Sequence, residues 1–130
     1  MNISDAAEQT GLPAKTLRYY EEIALLVPDR ADNGYRDFSP DHIATLQFLK
    51  RARDLGFSIE ECRTLLSLYS DANRTSAEVK EIARKHLDDI DEKISILKDM
   101  RSTLAHLIQC CDGDHRPSCP ILNSLAGVSA

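Results

Sequence analysis

The stretch from Thr75 to Gln109 constrains this chain most, because it holds neither glycine nor proline. It opens on a capping-box pattern, Thr75 followed three residues on by Glu78. Val79, Ala83, His86, Ile90, Leu97, Met100, Leu104 and Leu107 then keep alternating four- and three-residue spacing, with Lys93 filling one slot. That period lays an apolar stripe along one helical face. At 1.5 Å per residue such a helix is about 50 Å long. A rod of that length finds too few partners within 130 residues. The pattern therefore predicts pairing with a second copy, a homodimer axis.

A chain of this size holds one compact domain, or a small domain and an extended helix. Charged residues make up 28% and aromatics 5%, which suits a helix-rich chain. The N-terminus has no apolar signal region, and no apolar run is long enough to span a membrane. The expectation is a cytoplasmic protein whose four cysteines, Cys62, Cys110, Cys111 and Cys119, stay reduced. Reduced cysteines point to burial, metal binding or redox sensing. Cys62 sits in an apolar helical pattern with Phe57, Ile59, Leu65 and Leu66, so it reads as core.

The net charge of −5 argues mildly against nucleic acid as a partner. Its distribution argues the other way. Between Glu8 and Glu21 the only charges are Lys15 and Arg18. Between Asp41 and Asp54 they are Lys50, Arg51 and Arg53, beside His42. Dimerisation doubles such local basic faces.

Ser4 can cap a short helix ending near Thr10, with Gly11 as the turn. Pro13 then opens a second helix bearing Lys15, Thr16, Arg18, Tyr19, Tyr20 and Glu21. Two short helices joined through glycine match a helix-turn-helix. Asn33-Gly34 is a two-residue hairpin signal, flanked by Arg30 and Arg36 with Tyr35 between. It reads as a small β-wing whose arginines reach phosphates. Ser39 and Pro40 open a helix that stops at Gly56, and Ser58 with Glu61 opens another. Lys15 and Arg18 lie three apart, so both can face a major groove. Tyr20 and Tyr35 carry hydroxyls suited to phosphate.

At the other end, Gly113 and Pro117 let the chain turn back, and Pro120 fits the first position of a short last helix closed by Gly127. Cys119 then stands at its N-cap, where a thiolate is favoured. Cys111 lies at the other end of the loop, with seven residues between. Two thiolates alone suit a soft monovalent ion such as Cu(I), whereas Zn(II) wants about four donors. Cys110 and His115 are further donors within reach of such a loop. No glycine-rich phosphate loop and no nucleophile–base pair is present, so no enzyme is expected.

Three runs, TLRYYE (Thr16 to Glu21), NGYR (Asn33 to Arg36) and RARDLGFSIEE (Arg51 to Glu61), together resemble the MerR family of bacterial transcription regulators. The resemblance implies a mainly α fold: a winged helix-turn-helix head with a small β-wing, a long antiparallel dimerisation helix and a C-terminal metal-binding loop. It divides the chain into a DNA-binding head (1–70; helix-turn-helix about 4–23, wing about 30–38), a connector with the coiled-coil helix (71–109), and the loop with its short helix (110–130). It implies double-stranded promoter DNA and bacterial RNA polymerase as partners. Such regulators untwist a promoter whose spacer is too long. The matched motifs add Arg53 to Lys15, Arg18, Tyr20, Arg30, Tyr35 and Arg36 as DNA contacts. Divalent sensors of the family place a cysteine near the start of the dimerisation helix, where this chain has Ser76. Ser76 and the loop resemble the copper-efflux branch. That likeness implies Cys111 and Cys119 as ligands and Cu(I), Ag(I) or Au(I) as effector.

Overall fold

The computed structural model describes residues 1–110 and 119–127. Two compact units divide the chain, Met1–Val79 and Lys80–Ala130. In the first, α1 (Ile3–Thr10) and α2 (Ala14–Glu22) precede β1 (Asp29–Arg30) and β2 (Arg36–Asp37). Then come α3 (Pro40–Asp54) and α4 (Ile59–Ser70). Helix α5 (Ser76–Cys110) begins in this unit and fills most of the second, where α6 (Pro120–Leu125) follows. Among the described residues, no helix is long and apolar enough to cross a membrane.

Local chemistry explains most boundaries. Asn2, rather than Ser4, caps α1: its Oδ1 accepts from the Asp5 N–H at 2.8 Å. Gly11 ends that helix at φ 76°, a left-handed conformation in which side chains are strained. A Cβ there would also lie 3.3 Å from Lys50 Cε. Ser39 and Ser58 both form reciprocal capping boxes, with His42 and Glu61 respectively. Thr75 Oγ1 accepts from the Glu78 N–H at 3.3 Å at the head of α5.

The wing departs from a two-residue turn. The Ala31 N–H bonds the Tyr35 carbonyl at 2.8 Å, and the Gly34 N–H bonds the Ala31 carbonyl at 2.8 Å. Residues 32–34 therefore form a three-residue loop. Gly34 alone in it takes positive φ, 83°. That is a turn closed by a left-handed residue, the next commonest hairpin connection. Asn33 serves by accepting from the Tyr35 N–H at 3.1 Å instead.

The core of the head is small. Leu17, Leu46, Leu49 and Cys62 are its largest fully buried side chains, joined by Ala6, Tyr20, Phe38, Ile43 and Phe57. These come from α1, α2, α3 and α4 together with the residues flanking the wing. Cys62 is core, as its helical pattern indicates.

Leu46→Ala should lower the stability of the head by about 2–5 kcal/mol, read by chemical denaturation, because a void replaces a 0%-exposed side chain. Alkali should also destabilise it. Burial pushes the Tyr20 hydroxyl and the Cys62 thiol above their ordinary values of 10.0 and 9.0, with Arg53 opposing both. Each group then ionises in the unfolded chain before the folded one, so stability should fall as pH rises above 9.0. Cys62→Ala should make that decline shallower.

Candidate nucleic-acid interface and metal-binding segment

Helix α2 sorts its residues by face. Leu17 and Tyr20, one turn apart, point inward at 2% and 4% exposure. Lys15 and Arg18 are exposed, and neither makes an ion pair among the described residues. Both cations are therefore available to an anionic partner. Tyr20, expected to offer its hydroxyl to phosphate, turns its ring to the inner face that Leu17 defines. Tyr19 is the half-exposed tyrosine of the pair.

The wing arginines are held by one carboxylate. Arg30 Nη2 donates to Glu21 Oε1 at 2.6 Å, and Arg36 Nε donates to Glu21 Oε2 at 2.7 Å. Glu21 lies in the last turn of α2, so both wing strands are tied to the end of that helix. Three charges give a net +1, partly screened from water, with Glu21 18% and Arg36 28% exposed. These arginines keep other N–H groups for phosphate, since a guanidinium carries five. Tyr35 stands at the wing tip, 72% exposed.

Two further arginines shape the frame. Arg53 Nη1 donates to the Phe57 carbonyl at 2.7 Å and so holds the turn between α3 and α4. Arg63, on α4, donates to the Ile23 carbonyl at 2.9 Å and the Ala24 carbonyl at 3.3 Å. Ala24 has φ 57°, a left-handed conformation disfavoured for a residue with a Cβ. Arg63 thus steadies the strained turn that leads from α2 towards the wing. Neither the clamp at Glu21 nor the tie at Arg63 is visible in the sequence. Nothing local signals pairings across 15 and 40 residues. Lys50 pairs with Asp54 one turn on, at 3.1 Å, while Arg51 is exposed.

In the second unit, α5 leaves much of its apolar row open. Leu97 is 61% exposed, Met100 55%, Leu104 53% and Ile108 63%. His86, in the same row, is buried. Ser76 is the first residue of α5 and is exposed. Cys119 is half-buried at the N-cap of α6, with Pro120 opening the helix as the sequence suggests. Cys111 and His115 lie outside the described residues. Cys110 ends α5, with its Sγ 3.7 Å from His106 Nε2.

A helix-turn-helix, a two-stranded wing bound to its second helix, and a long helix with an open apolar row define a winged-helix transcription regulator. The comparisons make this specific. Residues 1–68 match the description "MerR HTH family regulatory protein", and residues 43–107 match "MerR, DNA binding". The chain belongs to the MerR family, and it is a regulator rather than an enzyme. It is 53% identical to the HTH-type transcriptional regulator HmrR of Rhizobium leguminosarum bv. viciae, over 97% of this chain and 98% of that one. It is 46% identical to the regulator CueR of Yersinia pestis, over 98% of this chain and 92% of that one. Among solved structures, the lead(II) complex of the regulator PbrR691 from Ralstonia metallidurans CH34 superposes with a TM-score of 0.83. That match is 28% identical and covers 96% of this chain and 98% of that one. The chain is thus a metal-responsive regulator of a DNA-binding family.

Glu21→Ala should free the wing from α2 and release two cations. Specific operator affinity should fall relative to random-sequence affinity by about tenfold, while the salt dependence of random binding steepens. Fluorescence anisotropy against both duplexes at several salt concentrations reads this. An unchanged affinity ratio would show that the clamp does not set the interface.

Proposed function

We propose that this protein is a Cu(I)-responsive transcriptional activator of copper-efflux or detoxification genes, responding also to Ag(I) and Au(I). It acts in the cytoplasm as a homodimer on promoter DNA with an overlong spacer, alongside RNA polymerase. Two separate observations carry the reading, the serine at position 76 and the placement of Cys119. The dimerisation helix opens on a residue with no thiol, and the metal segment ends on a cysteine at a helix N-cap.

The chemistry follows from donor number. Cys111 and Cys119 supply two thiolates, and a monovalent d¹⁰ ion accepts two. The complex carries one negative charge, which the positive end of a helix dipole offsets. A divalent ion wants more donors, and serine at position 76 supplies no thiolate. The names HmrR and CueR of two close relatives support the same branch.

The open apolar row of α5 supports the dimer, since Leu97, Met100, Leu104 and Ile108 need a cover that a second α5 supplies. An antiparallel arrangement sets two heads apart on one face of a duplex. Lys15 and Arg18 then enter the major groove, while Tyr35, Arg30, Arg36 and Arg53 hold the backbone. Metal acts on DNA shape, a change that costs several kcal/mol. Tight thiolate coordination is of that order.

A second reading, a sensor of a divalent ion such as Zn(II), is favoured by one observation, the contact of Cys110 with His106. Titration of the reduced dimer with Cu(I) against a competing chelator separates the two. One Cu(I) per chain, lost in both Cys111→Ser and Cys119→Ser and at least a thousandfold tighter than Zn(II), is the expected result. Ser76→Cys should raise divalent affinity. Comparable Zn(II) affinity in the unaltered chain, or copper induction of a promoter reporter that survives Cys111→Ser, would overturn the two-thiolate assignment.

A further inference from the structure

We propose that α5 binds α5 of a second copy antiparallel and in one register, with the two-fold axis between Ser95 and Ile96. Asp91 of each copy then pairs with Lys98 of the other, which fixes the register and selects the partner. The inference rests on the homodimer reading above and adds to it which residues meet.

The open apolar surface shows where the seam runs. Ala83, Ile90, Leu97 and Leu104 form one row at seven-residue spacing, and its two leucines are more than half exposed. Two rows flank it, three and four residues on along the helix. One holds His86, Lys93, Met100 and Leu107, and its His86 is already buried within the chain. The other holds Leu87, Ile94, Arg101 and Ile108, and its three apolar members are all exposed. This second flank is the more apolar and the more open. It supplies the a positions of a heptad pattern, with the central row at d.

Charge then chooses among the ways two such seams can meet. In an antiparallel pair each a residue meets a d residue, and the e residues, here Arg84, Asp91, Lys98 and Ala105, face one another. With the axis between Ser95 and Ile96, Leu87 meets Leu104, Ile94 meets Leu97 and Ile108 meets Ala83. Arg101 lies beside Ile90, where its long stem packs and its head reaches water. Asp91 faces Lys98 on both sides of the axis. Both side chains are exposed, and neither makes an ion pair among the described residues. Sliding the copies by one heptad destroys this match. In one direction Asp91 meets Asp91 and Arg84 meets Lys98; in the other Lys98 meets Lys98. A parallel pair sets Arg101 against Arg101 in the seam and Lys93 against Lys98. Of these arrangements, the proposed one alone brings no like charges together.

The test mixes the reduced full-length chain with a double variant carrying Asp91→Lys and Lys98→Asp. One of the two is uniformly isotope-labelled, they are unfolded together and refolded at equal concentration, and native mass spectrometry counts mixed dimers. Unbiased pairing makes one-half of the dimers mixed. In the proposed register each chain attracts its own kind, whereas a mixed dimer opposes two carboxylates on one side and two ammonium groups on the other. Mixed dimers should therefore fall to about one-fifth. Either shifted register gives the reverse, an excess of mixed dimers, because the swap brings opposite charges to its contacts. A parallel pair leaves one-half. Mixing the single variants Asp91→Lys and Lys98→Asp with each other should give mostly mixed dimers. Circular dichroism should show unchanged helix in every variant, as expected for exposed positions. Mixed dimers at one-half or above in the first experiment, or no excess of them in the second, would overturn the register and leave the homodimer standing. An unaltered chain that stays monomeric at micromolar concentration would overturn the homodimer reading and the register with it.

Discussion

The head depends on how little it can bury. Leu17, Leu46, Leu49 and Cys62 are the largest side chains fully buried in a unit that ends at Val79. A unit of that size gains little hydrophobic stabilisation to spare. The pieces that would meet DNA lie outside this core, so polar ties must place them. Glu21 fixes both strands of the wing through Arg30 and Arg36. Arg63 fixes the strained turn at Ala24. Helix α2, the wing and α4 are thus joined by charge-assisted hydrogen bonds, which are directional in a way that apolar contacts are not.

That arrangement has a consequence for an acidic protein that binds an acidic polymer. Two of the cations beside α2 are shared with a carboxylate, and among the described residues two others on it, Lys15 and Arg18, are not. In the proposed interface the free pair would add attraction, while the shared pair would add position. Specific recognition needs both, because phosphate contacts set register and base contacts set sequence. The overall charge of −5 says little beside this local division.

Helix α5 presents two faces of different chemistry. One carries Leu97, Met100, Leu104 and Ile108 and calls for a protein partner. Well round from it, His106 and Cys110 present nitrogen and sulfur donors to solvent. The open apolar row and this histidine–cysteine pair thus occupy different sides of one helix.

Much of this was legible in the residues. The caps at Ser39, Ser58 and Thr75, the stop at Gly11, the wing at Asn33-Gly34 and the helical period from Val79 to Leu107 all act over a few residues, so their spacing records them. The three family motifs are likewise continuous runs. What the sequence left open is long-range. Leu17 could not announce that Tyr20 shares its inner face until α2 was packed against the rest of the head. Glu21 could not announce that it would hold Arg30 and Arg36, nor Arg63 that it would hold Ile23 and Ala24. The sequence by itself determined the elements, their order and the family, because periodicity and capping are local physics. Only the tertiary structure decided which cations are free and which are held, because pairings across 9 to 40 residues leave no period to read.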